Sequence, residues 1–186
     1  MGDLHLTPTS YLVLGLVASH GPCTSYDLKS LVAISIGRFW PFPHSQLYAE
    51  PARLAEHGFL EEEQEESGRR RRTYAIAPPG REALDDWLAE PPADERTELR
   101  DLGLLKLFFG SLSTEEALVA LAKAKEASHE RAGEEYAELR ERLAAVATPA
   151  ELATLELGIR WERTASEFWA GIVTDPPTGA PASRPT

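Results

Sequence analysis

The 186-residue chain has one Cys and one Met, and its basic residues are outnumbered, 19 Lys and Arg against 30 Asp and Glu. A single Cys cannot form an internal disulfide, which excludes a small disulfide-stapled secreted scaffold. Long hydrophobic runs are also missing: the longest, Tyr11 to Ala18, is far short of the roughly 20 residues that a membrane span requires. No basic segment followed by an apolar stretch and a small-residue cleavage site opens the chain, so the reading expects a cytoplasmic protein without a membrane partner. Nucleotide-binding and hydrolytic signatures are absent too, with no glycine-rich phosphate loop, nucleophile elbow or HExxH. Cys23 and His20 are two potential ligands where a structural zinc site uses four, and a Cys beside a helix cap is the simpler reading. The paired Glu residues of the long helical stretch are ordinary solvent-facing charge. The expectation is therefore no enzyme, no metal and no cofactor.

What is present is a globular composition, 42% hydrophobic and 26% charged, close to the average soluble domain. The net charge of −11 speaks at first against nucleic acid, because a polyphosphate repels an acidic protein. Division at residue 90 leaves both halves acidic. Within the first half, however, Arg69, Arg70, Arg71 and Arg72 are consecutive and follow the acidic run Glu61 to Glu66. Charge is sorted along the chain, and its average hides the sorting.

Thr7-Pro8 reads as a cap with proline in the first turn, opening a helix from Thr9 to Ser19 that is apolar nearly all round and so needs packing on more than one side. Thr24-Ser25 opens a second helix with Leu28, Leu31 and Val32 at helical spacing. After the Gly- and Pro-rich stretch 37–43, a third runs from His44 or Ser45 to His57, with Gly58 as its terminal cap and Leu47, Leu54 and Ala55 inward. The period then changes to two. Phe59 to Gln64 and Arg71 to Ile76 flank a glycine-containing turn, which is a hairpin pattern. Pro78-Pro79-Gly80 ends the hairpin, and Arg81 to Glu90 forms a fourth helix around Leu84, Trp87 and Leu88.

Beyond Pro91-Pro92 the chain is helical: Leu99 to Phe109, a capped helix from Ser113-Thr114 to about Val146, and a last helix from Thr148-Pro149 to about Val173. On the long helix Leu118, Leu121, Ala122, Lys125, Ala132, Tyr136, Leu139 and Leu143 make a partial stripe that requires a partner. The expected domains are 1–90, 91–173 and a disordered tail, 174–186, whose prolines cannot build a core. Trp40, Trp87, Trp161 and Trp169 are expected chiefly as core or interface anchors, although aromatics at a seam between two copies can also line an effector pocket.

Three short helices and a hairpin form the layout of a winged helix-turn-helix, whose third helix enters the major groove while the wing lies on the backbone. Taken alone, an arginine run beside a glutamate run is a solvated, self-neutralising surface; on a hairpin tip it can reach phosphates or a narrow minor groove. Thr9-Ser10-Tyr11-Leu12-Val13-Leu14-Gly15-Leu16, Ser25-Tyr26-Asp27-Leu28, His44-Ser45-Gln46-Leu47-Tyr48, Arg53 to Leu60, Gly68 with Arg70 to Tyr74, and Pro79-Gly80-Arg81 with Leu84 and Trp87 together resemble the PadR family of bacterial transcriptional regulators. Leu102 to Gly110 and the long helices after it resemble the larger Vir-type C-terminal region of one branch.

The resemblance implies a mainly α fold, an N-terminal winged helix-turn-helix with a two-stranded wing followed by a helical dimerisation region. It implies a homodimeric repressor on a roughly palindromic operator in double-stranded DNA, with the first helix and the long C-terminal helices forming the dimer. Carried over by position, His44, Ser45, Gln46 and Tyr48 face DNA, Lys29 and Arg53 are phosphate ligands, and Arg70, Arg71 and Arg72 serve the wing. Gln46 suits an adenine edge; His44 has an alternative role as a helix cap, and Tyr48 as a core aromatic with its hydroxyl at the surface. The chain departs from the family pattern at Ala49 and Pro51. Pro51 removes a donor and crowds the Leu47 carbonyl, so a late start or a kink is expected there. A small aromatic effector is a further expected partner. The competing reading is a helical protein-interaction module on a winged-helix scaffold that has no DNA binding.

Overall fold

A computed structural model of the protein describes residues 5–33, 36–38, 40, 45–64, 71–91 and 99–177. Its elements are α1 (Pro8–His20), α2 (Ser25–Ala33), α3 (Gln46–Glu56), β1 (Leu60–Gln64), β2 (Arg72–Ile76), α4 (Pro78–Ala89), α5 (Leu102–Phe108), α6 (Glu115–Leu143) and α7 (Pro149–Thr174), with single 3-10 turns at Ile36–Arg38 and Gly110–Leu112. The chain forms two compact units, Met1–Glu95 and Arg96–Thr186. The first has the helix, helix, helix, hairpin order of a winged helix, and the second is helical.

Local chemistry sets the element ends. Thr7 accepts from the Ser10 amide and Ser10 returns the bond to the Thr7 amide, while Pro8 occupies the first turn, where its missing N–H costs nothing. At the start of α2 the Thr24 amide and hydroxyl both donate to Asp27 Oδ2, at 2.9 and 2.7 Å. Helix α3 ends with the Gly58 amide on the Ala55 carbonyl and the Phe59 amide on the Leu54 carbonyl. This six-to-one and five-to-two pair requires a left-handed residue, and Gly58 supplies φ +79.

Pro51 lies inside a continuous α3 and is buried. The helix does begin later than His44, at Gln46, and its first turn is shared, Ser45 O accepting from both Tyr48 and Ala49 at 3.2 and 3.4 Å. Helix α4 starts at Pro78 rather than Arg81, because two prolines at the head of a helix have no donors to lose. Helix α5 starts at Leu102 rather than Leu99, since Asp101 Oδ1 accepts from the Leu104 amide and caps it.

The core of the first unit gathers Val13, Leu14, Val17, Leu28, Val32, Leu47, Leu54, Leu60, Tyr74 and Leu84. Helix α1 runs through it and touches α2, α3, α4 and β2, which is why its apolar residues are not confined to one stripe. Each fully buried Val or Leu contributes about 2 kcal/mol by leaving water. The wing is an antiparallel pair with Leu60 opposite Ile76, Glu62 opposite Tyr74 and Gln64 opposite Arg72. Cys23 extends it by a bridge, exchanging both backbone bonds with Tyr74 at 3.0 and 2.9 Å. Its thiol donates to the Gly21 carbonyl; burial, with the charge of Asp27, pushes its pKa up, so it stays a protonated, unreactive thiol.

In the second unit α6 and α7 pair along their lengths and close on Tyr136, Leu139 and Leu155, with Leu143, Leu152 and Ile159 against them. Lys125 ties α6 to the Asp101 carboxylate before α5, and His129 on α6 meets Glu162 on α7 at 2.6 Å. Of the four tryptophans only Trp169 is buried; Trp40, Trp87 and Trp161 are 46%, 44% and 51% exposed. Of the expected core or interface anchors, Trp169 is the one in the core, and Trp87 stacks on Tyr11 with ring centroids 4.7 Å apart. Of the tail expected to lack structure, residues 178–186 lie outside the described residues. No helix among the described residues is long and apolar enough to cross a membrane.

Candidate nucleic-acid interface

Tyr48 on α3 is half exposed, not a core aromatic. Its position five residues before Arg53 and one turn before Ala52 places it on the helix side that faces the wing base. There a cleft of about 310 Å³ is lined by Thr24, Ser25 and Tyr26 from the head of α2, Tyr48 and Ala52 from α3, and Arg71, Arg72 and Tyr74 from the second arm of the hairpin. Three elements therefore converge on one concavity. Helix amides at the head of α2, two guanidinium groups and phenolic hydroxyls form a donor-rich surface, which suits an anionic oxygen ligand.

The cleft joins Tyr48, Arg71 and Arg72 of the residues expected from sequence. Lys29, half-buried on α2, and Ser45 and Gln46, exposed at the head of α3, do not line it. Gln46 Oε1 accepts from the Thr9 hydroxyl at 3.0 Å. His44 and Arg70, like Arg69, lie outside the described residues. Thr24, Ser25 and Tyr26 were not singled out in the sequence; the Thr24-x-x-Asp27 cap was the signal, because it fixes where the free amides of α2 begin.

Arg53 sits elsewhere. Its Nε donates to Glu50 Oε2 at 2.9 Å, and its Nη2 reaches both Glu50 Oε1 and the Ser10 hydroxyl. Ser10, fully buried, also donates to Glu50 Oε1 at 2.6 Å. Burial alone pushes the Glu50 pKa up, but the bonds from Arg53 and Ser10 outweigh it and the net shift is downward. These bonds make the Arg53 guanidinium a clasp between α1 and α3.

Each arginine of the cleft also has a carboxylate neighbour. Glu62 Oε1 lies 3.3 Å from Arg72 Nε. Asp27 is held below the usual carboxylate range, first by the Thr24 hydroxyl, then by the Thr24 amide, with the charge of Arg71 adding to them. The Tyr74 phenol, buried beneath, is pushed up by burial and by the charge of Glu62. Among the described residues no group of three His, Cys, Asp or Glu side chains is placed to hold a metal ion.

Comparison with known proteins matches residues 13–86 to the transcriptional regulator PadR-like family and residues 99–170 to the virulence activator alpha C-terminal family. The negative transcriptional regulator PadR of Bacillus subtilis is 33% identical over 110 residues, covering 58% of this chain and 59% of that protein. The chain thus aligns with somewhat under two thirds of that relative's length. In three dimensions the crystal structure of Bacillus subtilis PadR in complex with operator DNA is similar at TM-score 0.80 and 23% identity, covering 92% of this chain and 99% of the other. The same protein in complex with p-coumaric acid gives TM-score 0.75 and 23% identity over 91% and 97% of the two chains. The Vibrio cholerae virulence activator AphA gives TM-score 0.68 and 22% identity over 90% and 96%. At these identities the structural likeness speaks for the fold, a winged helix followed by long helices. Consecutive matches thus place a region similar to the PadR-like family of transcriptional regulators at residues 13–86 and one similar to the virulence activator alpha C-terminal family at residues 99–170 of the same chain.

Proposed function

We propose that the protein is a homodimeric, sequence-specific DNA-binding repressor acting in the cytoplasm. The observation that carries this reading is the cleft at the wing base, where Arg71, Arg72 and Tyr48 meet the head of α2. In the proposal α3 enters the major groove with Ser45 and Gln46 toward base edges, while the cleft takes a backbone phosphate and Arg70 extends the wing contact. His44 and Lys29 serve as flanking contacts, and Arg53 works indirectly by holding α3 on α1. The similarity to the negative transcriptional regulator PadR of Bacillus subtilis supports repression as the output. The complex of that relative with p-coumaric acid supports a small aromatic effector here.

Dimerisation is supported by the second unit. Leu102, Leu105, Phe108, Phe109 and Leu112 are each more than half exposed, and a groove of about 740 Å³ runs past Leu105, Phe109, Ala117 and Leu121. An apolar surface of this kind in a charged protein marks an association site. The deciding measurement is binding to a duplex from the protein's own upstream region across a salt series. Expected is affinity that falls steeply with salt, because each phosphate contact releases counterions, and that weakens at least about tenfold when Arg71 and Arg72 both become Ala. Salt-insensitive or absent binding, together with a stable complex with another protein, would replace this reading by that of an interaction module.

A further inference from the structure

Successive residues of a strand point to opposite faces of the sheet. Leu60 faces the core, so Glu62 and Gln64 share its face of the ladder and Glu61 and Glu63 take the other. Glu62 stands directly opposite Tyr74, and Arg72, two residues before Tyr74, is its diagonal neighbour on the same face. Diagonal partners across an antiparallel pair are within reach of long side chains, and the Glu62 carboxylate does reach the Arg72 guanidinium, at 3.3 Å. Of the acids on β1, Glu62 is the one whose register brings it to Arg72, one of the two arginines that line the cleft. The Glu62 side chain is 26% exposed and that of Arg72 54%, so the pair lies at the rim, accessible to a competing anion.

Resting on the DNA-binding reading, we propose that Glu62 is a positioning residue that acts as an internal phosphate mimic, so that the DNA backbone must displace its carboxylate from Arg72 to bind. An exposed ion pair is weak enough to exchange, and a phosphodiester offers the guanidinium the same two-oxygen geometry. The exchange has a definite cost in counterions. An unpaired arginine that meets a phosphate releases the condensed cation there; an arginine already neutralised by Glu62 leaves a bare carboxylate behind, which takes a cation up again. Glu62 therefore lowers DNA affinity and flattens its salt dependence together.

The test compares wild type, Glu62→Gln, Glu61→Gln and Glu63→Gln, with Glu62→Gln also placed in an Arg72→Ala background. The probes are the upstream duplex and a random duplex of equal length. Expected is that Glu62→Gln binds both about threefold tighter per wing, with the log affinity against log salt slope steeper by about one per wing. The gain vanishes in the Arg72→Ala background. Glu61→Gln and Glu63→Gln, which change the net charge equally, gain less and leave the slope unchanged. Unaltered or weaker binding by Glu62→Gln, or an equal gain from Glu61→Gln, overturns the inference while the DNA-binding reading stands. A wild type that binds neither duplex at low salt overturns that reading, and the inference with it.

Discussion

At Gly80 a side-chain carbon would stand 2.1 Å from the Phe59 carbonyl oxygen and 3.1 Å from Leu14 Cδ2. Helix α4 crosses the corner after α3 so closely that only hydrogen fits, and the obstacle is backbone, which cannot swing aside. Gly80→Ala is expected to lower stability by about 2 kcal/mol or more, as overpacking does, read from the urea midpoint. The Ser10–Glu50–Arg53 cluster makes a second prediction. With its folded pKa depressed below the ordinary Glu value of about 4.3, Glu50 adds stability that is present above that value and lost as pH falls through the folded one. Glu50→Gln should therefore be about 2 kcal/mol less stable than wild type at pH 7. The two should converge on acidification below pH ~4, measured as denaturant midpoints against pH. Nothing in the local sequence announced this cluster, because Ser10 and Glu50 are 40 residues apart.

Helix α2 is held at its head by Thr24 and Asp27. The reciprocal bonds of Thr24 and Asp27 satisfy the amides at its head and also set the donors that border the cleft. Asp27→Ala is expected to cost about 1 kcal/mol and to speed hydrogen exchange in the first turn of α2; unchanged exchange there would deny the cap this role. The caps and turns of α1, α3, α6 and α7 were legible as Thr7-Pro8, Gly58, Thr114 and Thr148-Pro149, since the chemistry of a helix end lies within four residues of it. Less legible were the starts of α4 and α5. Pro78-Pro79 reads equally as the end of a strand or the head of a helix, and it is the crossing of α4 over Phe59 that selects the second. The passage of α3 through Pro51 was also hidden, because the lost hydrogen bond is offset by burial of the ring among residues distant in sequence.

For the whole molecule, −11 limits DNA affinity without forbidding it. Positive charge is concentrated at the wing, and the described arginines there have acidic neighbours, so in the proposed function occupancy of an operator depends on two half-sites held by two subunits. Glu or Lys substitution at Leu105 and Phe109 is accordingly expected to yield a monomer at micromolar concentration in sedimentation, with helical circular dichroism retained and operator affinity reduced at least about 100-fold. A double variant that stays dimeric would move the interface away from this groove.

The order of elements, the two arms of the hairpin and the family resemblance follow from the sequence alone, because helix periodicity, strand alternation and capping are short-range properties. Which charges are available was decided only by the tertiary structure. Arg53 and Arg72 look alike as letters. Folding gives the first to Glu50 and Ser10 inside the α1–α3 contact, and leaves the second at the rim of a cleft beside Glu62 and Tyr74. Electrostatics acts through distance in space, and the spacing of charges along a chain does not contain it.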